Sequence, residues 1–228
     1  MHIPTLGGWA RMRDNGAVPA HRIHLVRHGE VDNPEGILYG RLSGYRLSER
    51  GHEMARLAAA ALDGRPITRL VVSPLQRTQE SAAPWAERFG LEPVLDERVI
   101  EPWNAFEGTR MRRALRDPRN WWRLRAPWRP SWGEPYVEVR DRMLAAMTAA
   151  WDAVDDGEVV VVSHQMPIWT TTRAVAGRPL PHNPATRRTS LSSITSFARA
   201  AATGSWTEVD YQEPAAGLLD GAIDTGAV

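Results

Sequence analysis

Residues 158–163, EVVVVS, constrain the fold more than any other stretch of this chain. Four consecutive valines lack the apolar–polar alternation of a strand with one wet face. Such a run needs cover on both faces, as in the middle of a parallel sheet between helical layers. The flanking sequence meets that demand. RIHLVR (22–27) and TRLVVS (68–73) read as strands, EPVLDERVI offers a short one, and two more are expected near 191–198 and 205–211. Helices are expected from Ser48 as N-cap through ERGHEMARLAAAAL, from Ser73 to near Gly90, over roughly 136–154, and through QMPIWTTTRAVAG. In the second, Ser73 at N-cap, Pro74 at N1 and Gln76 at N3 read as a capping box, with Pro84 expected to kink the helix. Strand and helix alternate, so the chain is expected to be an α/β protein with a mainly parallel central sheet.

Ligands of such folds bind outside the carboxyl ends of the strands. Three of the strands end on chemistry: Arg27-His28, Ser73 with Arg77 just beyond, and Ser163-His164. Arg77 in the first turn of a helix opposes the helix dipole, which suggests a use other than helix stability. His164 follows a nearly continuous apolar run, where a desolvated imidazole needs a partner. Two histidines and two arginines at one sheet edge point to an anion site. An alternative is that His28, Glu30 and Asp32 alternate along an extended segment as metal ligands. A further one is a catalytically silent phosphate-binding module.

Composition removes other classes. The 228 residues carry a formal net charge of +1, which argues against a protein that coats a polyanion. Cysteine is absent, excluding disulfides, thiolate nucleophiles and cysteine metal sites. No stretch approaches the ~18 apolar residues of a membrane span, and the N-terminus lacks a continuous apolar region of a secretory signal. A cytoplasmic protein is therefore expected. All 28 basic residues are arginines, which together with the alanine, proline and tryptophan usage suggests a GC-rich, bacterial source.

LVRHGE, SPLQRTQESA, ERVIEPWNAFEG and VVSHQ, in this order over roughly residues 22–170, resemble the signature blocks of the histidine phosphatase superfamily, the phosphoglycerate mutase-like proteins. That resemblance implies a three-layer α/β/α fold and a metal-independent reaction through phosphohistidine, with no cofactor. It implies that His28 is the phosphorylated nucleophile, that Arg27, Arg77 and His164 hold the phosphoryl group, and that Glu101 is the proton donor. Asn33, with Gly40 and Arg41 in LYGRLSG, falls where the family contacts phosphate or substrate. Gly29 is read as removing a side chain beside the phosphate. Three departures point from mutase toward phosphatase. Gln165 stands where glycine often follows the second histidine, Asn33 comes one residue early, and the chain has no lysine for the mutases' substrate-binding position. Phosphoglycerate mutase activity is the second reading.

Residues 110–132, RMRRALRDPRNWWRLRAPWRPSW, hold eight arginines and four tryptophans with one acid. Within an insertion over 110–135, they read as a solvated basic face, as a lid recognising an anionic or aromatic substrate, or as a nucleic-acid surface. On the lid reading Trp121, Trp122, Trp128 and Trp132 supply an apolar face, and Arg110 and Arg113 meet a second anion. The expected organisation is an irregular leader over 1–20, one catalytic domain over 21–212 and a flexible tail over 213–228. The expected partner is a small phosphorylated metabolite, without membrane; nucleic acid is disfavoured by the net charge, and a homodimer stays open.

Overall fold

A computed structural model describes residues 21–126 and 130–224, without the side chains of Arg112, Arg123 and Leu124. The leader expected over 1–20 and Trp128 lie outside the described residues. Strands β1 (Arg22–Arg27), β2 (Ile67–Val72), β3 (Val94–Leu95), β4 (Glu158–Ser163), β5 (Ile194–Arg199) and β6 (Trp206–Gln212) form one six-stranded sheet. Its order is β3-β2-β4-β1-β5-β6. β3, β2, β4 and β1 run parallel, whereas β5 and β6 are added antiparallel at one side. The valine run is β4, between β2 and β1, and all six of its residues are buried.

Helices α1 (Glu49–Ala60), α2 (Gln76–Phe89), α3 (Met111–Arg116), α4 (Tyr136–Asp152) and α5 (Gln165–Val175) complete the main elements. Alternate residues of the strands feed two cores, as the two-residue period of a strand requires. Ile23, Leu25, Val159 and Val161 pack with Val139, Met143 and Met147 of α4 and Ile168 of α5. Val26, Leu70, Val160 and Val162 pack on the opposite face with Ala58 and Ala59 of α1 and Trp85 of α2. Helices thus cover both faces, giving the three-layer arrangement.

Ser48 caps α1 as expected, accepting from Gly51 N, and Gly90 ends α2 in the left-handed region at φ 65°. The expected capping box at the start of α2 is absent. The helix begins at Gln76 with Leu75 as N-cap and no side-chain cap bond. Ser73 Oγ is engaged instead with His164 Nε2 at 2.8 Å, and the Gln76 amide donates to Glu80 at 2.8 Å.

Two further segments frame the carboxyl edge of the sheet. In the Arg/Trp-rich stretch, α3 and a 3₁₀ segment over Pro118–Leu124 follow the acidic block. Met111, Ala114 and Trp132 pack with Leu38 and Phe106 in a small core of their own, whereas Trp121 and Trp122 are exposed. The tail expected to be loose beyond residue 212 is packed as far as Asp224. Ala215, Leu218, Leu219 and Ala222 lie against Met54, Leu57 and Leu191, and Ile223 N donates to Glu30 Oε1 at 2.7 Å. Its leucines and alanines supply the apolar surface that packs there.

Candidate active site

The parallel register sets Arg27 beside Ser163, so β1 and β4 end together. The ladder runs one step past the strands, with His28 N donating to Ser163 O at 3.1 Å and Ser73 N to Val162 O at 3.0 Å. This brings Arg27, His28, Ser73 and His164 to one edge, where Arg77 comes in from α2 and Glu101 from the loop after β3. Arg27, His28, Arg77, Glu101 and His164 are all buried.

Hydrogen bonds select the tautomers of both imidazoles. His28 Nδ1 lies 2.7 Å from Gly29 O, which only accepts, so Nδ1 carries the proton and Nε2 the lone pair. Nε2 is buried with no hydrogen-bond partner among the described residues. The His28 ring meets that of His164 edge-on, centroids 5.3 Å apart. Arg77 Nη2 donates to His164 Nδ1 at 3.2 Å, so Nε2–H of His164 donates to Ser73 Oγ. The same Nη2 donates to Gly40 O at 2.7 Å, and the guanidinium lies over the Tyr39 ring at 4.7 Å.

Burial, then Arg77 and Arg27, holds the His28 pKa well below the usual histidine range, so the ring is neutral around pH 7. His164 is lowered for the same first reason, helped by Arg77 and His28. Glu101 moves the other way. Burial pushes its carboxyl up to about 7 although Arg77, Arg187 and Arg27 favour the anion. Neither of its oxygens has a hydrogen-bond partner among the described residues; Oε2 is 3.4 Å from His164 Nδ1. A proton-bearing group, an unprotonated nitrogen and two guanidinium groups therefore share one dry site.

The remaining expected residues divide. Asn33 is turned to its own loop, with Nδ2 donating to Ile37 O at 2.9 Å and Oδ1 accepting from Ile37 N at 3.0 Å. Gly40 serves through its carbonyl on Arg77. Arg41 donates to Glu101 O at 2.6 Å and to Glu134 at 3.0 Å, so it braces the loop that carries the acid. Gln165 and Arg110 line a cavity of about 820 Å³ beside the cluster. Arg113 is exposed and not among its lining residues. Glu30 is bound to Ser48 Oγ, Ile223 N and, at 3.6 Å, Arg50. It is thereby turned toward α1 and the tail, away from the metal-ligand arrangement considered with His28 and Asp32. Gly29 has another reason than the phosphate: a Cβ there would stand 2.3 Å from Gly51 O, so the glycine lets α1 dock against the end of β1.

Two residues here carried no sequence signal. Arg187 lines the cavity and donates to His182 Nε2 at 3.0 Å and Gln165 Oε1 at 3.2 Å; only the pair of arginines in PATRRTS marked it. Asp224 comes from the tail. Its carboxylate accepts from both terminal nitrogens of Arg27, one at 2.9 Å, and Arg27 also donates to Thr189 O at 2.7 Å. An anion arriving at Arg27 meets a guanidinium whose two terminal nitrogens already hold a carboxylate.

The family model described as histidine phosphatase superfamily (branch 1) matches residues 23–210. The chain belongs to that superfamily. The chain is 49% identical over 179 residues to the Mycobacterium tuberculosis protein Rv0525, across 77% of this chain and 89% of the relative. It is 30% identical over 164 residues to a probable phosphoglycerate mutase of Cronobacter sakazakii, across 69% and 76%. The structure of a mycobacterial glucosyl-3-phosphoglycerate phosphatase superposes with a TM-score of 0.67 at 27% identity, over 82% of this chain and 96% of that one. Proteins named as phosphatases and as mutases are thus both among the relatives of this chain.

Proposed function

We propose that this protein hydrolyses phosphomonoesters through a phosphohistidine at Nε2 of His28. The observation that carries this reading is the Nδ1 bond of His28 to Gly29 O, which leaves a bare Nε2 between Arg27, Arg77 and His164. The phosphoryl group displaces Asp224 from Arg27 and is held by the two guanidinium groups and His164. The Nε2 lone pair attacks phosphorus while the ester P–O bond breaks. Glu101, protonated at and below about pH 7, gives its proton to the departing oxygen. In the second half, water attacks phosphorus, Glu101 takes its proton and the P–N bond breaks. Ester and water are consumed; alcohol and inorganic phosphate are produced, and the enzyme is restored.

Charge spread over the phosphoryl oxygens in flight is met by guanidinium groups in a buried site, where they act strongly. The reading therefore runs without a metal ion. Phosphatase is favoured over mutase because the chain has no lysine and Asn33 follows His28 one residue early. The test is phosphate release from a panel of monophosphates in excess EDTA, with interconversion of 2- and 3-phosphoglycerate followed in parallel. Release that survives EDTA and is lost in His28→Ala is expected. Efficient interconversion with little phosphate released would make the enzyme a mutase, and activity abolished by EDTA would remove the metal-free route.

A further inference from the structure

We propose that the substrates are phosphomonoesters of alcohols that carry a large aromatic or apolar group, and that this group lies in the cavity beside the phosphoryl site. The proposal rests on the phosphomonoesterase reading and names its substrate class. The cavity measures about 820 Å³. A three-carbon phosphoglycerate would leave most of that space to water, whereas cavities of this size commonly enclose a ligand of drug-like bulk.

Its direction is set by the acid. Glu101 protonates the oxygen of the leaving alcohol, and the next two residues, Pro102 and Trp103, are cavity wall. The group attached to that oxygen therefore emerges against Trp103. Beyond it Leu38, Phe106, Met111, Leu115 and Trp132 continue an apolar lining. Trp103 is 45% exposed and Leu115 44%, so both present apolar surface at the wall. Aromatic faces of this kind favour flat apolar partners.

Several polar side chains on the same wall are already engaged. Asn104 Oδ1 accepts from Phe106 N at 2.9 Å. The Glu134 carboxylate takes Arg41 at 3.0 Å and Arg142 at 2.6 Å. Gln165 Oε1 accepts from Arg187 at 3.2 Å. A polyhydroxylated ligand needs many donors and acceptors in return for those it gives up to enter, and the Glu134 carboxylate, Asn104 Oδ1 and Gln165 Oε1 are already engaged. The lining thus suits an apolar leaving group better than a sugar or a short acid.

The test holds leaving-group acidity constant, so that chemistry and recognition stay apart. Naphthylethyl phosphate and ethyl phosphate release alcohols of similar pKa; 3-phosphoglycerate and glucosyl-3-phosphoglycerate complete the set. We expect kcat/KM for naphthylethyl phosphate to exceed that for ethyl phosphate by on the order of 10²-fold, from burial of one ring system. In Trp103→Ala, and separately in Leu115→Ala, that ratio should fall to roughly 10-fold or less; both residues are half-exposed, so neither variant removes much core. A ratio near one, a ratio unmoved in both variants, or a preference for either phosphoglycerate overturns the proposal while the phosphatase reading stands. Absence of phosphate release from every ester would instead bring down the phosphatase reading on which it rests.

Discussion

Glu101 and His28 sit a few ångströms from the same arginines and are driven in opposite senses by the same burial. The imidazole is kept neutral, so the nucleophile survives into acidic solution. The carboxyl keeps its proton up to about pH 7. Activity should therefore extend well below neutrality and fall as pH rises through about 7, the high-pH limb belonging to Glu101. In Glu101→Gln, turnover of esters with poor leaving groups should drop by ~10²–10⁴-fold, aryl esters should lose less, and the high-pH limb should flatten. Equal loss across leaving groups would remove Glu101 from the donor role. Stability gives an independent readout. With the carboxyl raised from 4.5 to about 7 on folding, stability is fully present below pH 4.5 and is lost as pH rises to about 7. Glu101→Gln should accordingly melt several degrees above the native protein at pH 8 and close to it at pH 4. At this scale the sequence was readable where polar residues follow the strands: Arg27, His28 and His164, with Arg77 in the first turn of α2, are all buried at one edge. Ser73 was misread because a hydroxyl before a helix has two uses, and the deciding partner, His164, is 91 residues away.

The elements were legible wherever a period or a cap marked them. The valine run placed β4, Ser48 placed α1 and Gly90 closed α2. What escaped depends on contacts between elements. Gly29 and Gly51 meet backbone to backbone, a fit no local pattern announces. The tail is the larger case, because only the packing of Leu218 and Leu219 brings Asp224 to Arg27. On the proposed function, that carboxylate stands where the substrate phosphate would bind Arg27. It is 41% exposed, so water screens the pair and the cost to substrate is modest. Asp224→Asn should lower KM for phosphomonoesters and Ki for inorganic phosphate together, by roughly 3–10-fold, with kcat within a factor of about two; this is the pattern of lost ground-state competition. Steady-state kinetics and phosphate inhibition measure both. An unchanged Ki would show that the tail does not compete at Arg27.

At the level of the whole molecule, strand order explains why the site exists. β1 and β2 flank β4, so the loops leaving three parallel strands converge above the middle of the sheet, while α1 and α2 on one face and α4 and α5 on the other close it from beneath. The acid arrives on the loop after β3, braced by Arg41, and the Arg/Trp-rich stretch forms one wall of the neighbouring cavity through Arg110, Met111, Leu115 and Trp132. Trp121 and Trp122 face solvent, so the stretch is divided between cavity wall and exposed surface. Composition alone cannot apportion a segment in that way, since each tryptophan reads the same until its neighbours are placed. All of these elements converge on one nitrogen. The most direct measurement is a millisecond quench into alkali with a labelled phosphomonoester, followed by peptide mapping. The account predicts one acid-labile, alkali-stable phosphate on His28, formed and discharged at rates compatible with turnover. Phosphate carried on another residue, or full turnover in His28→Ala without any phosphoenzyme, would contradict it.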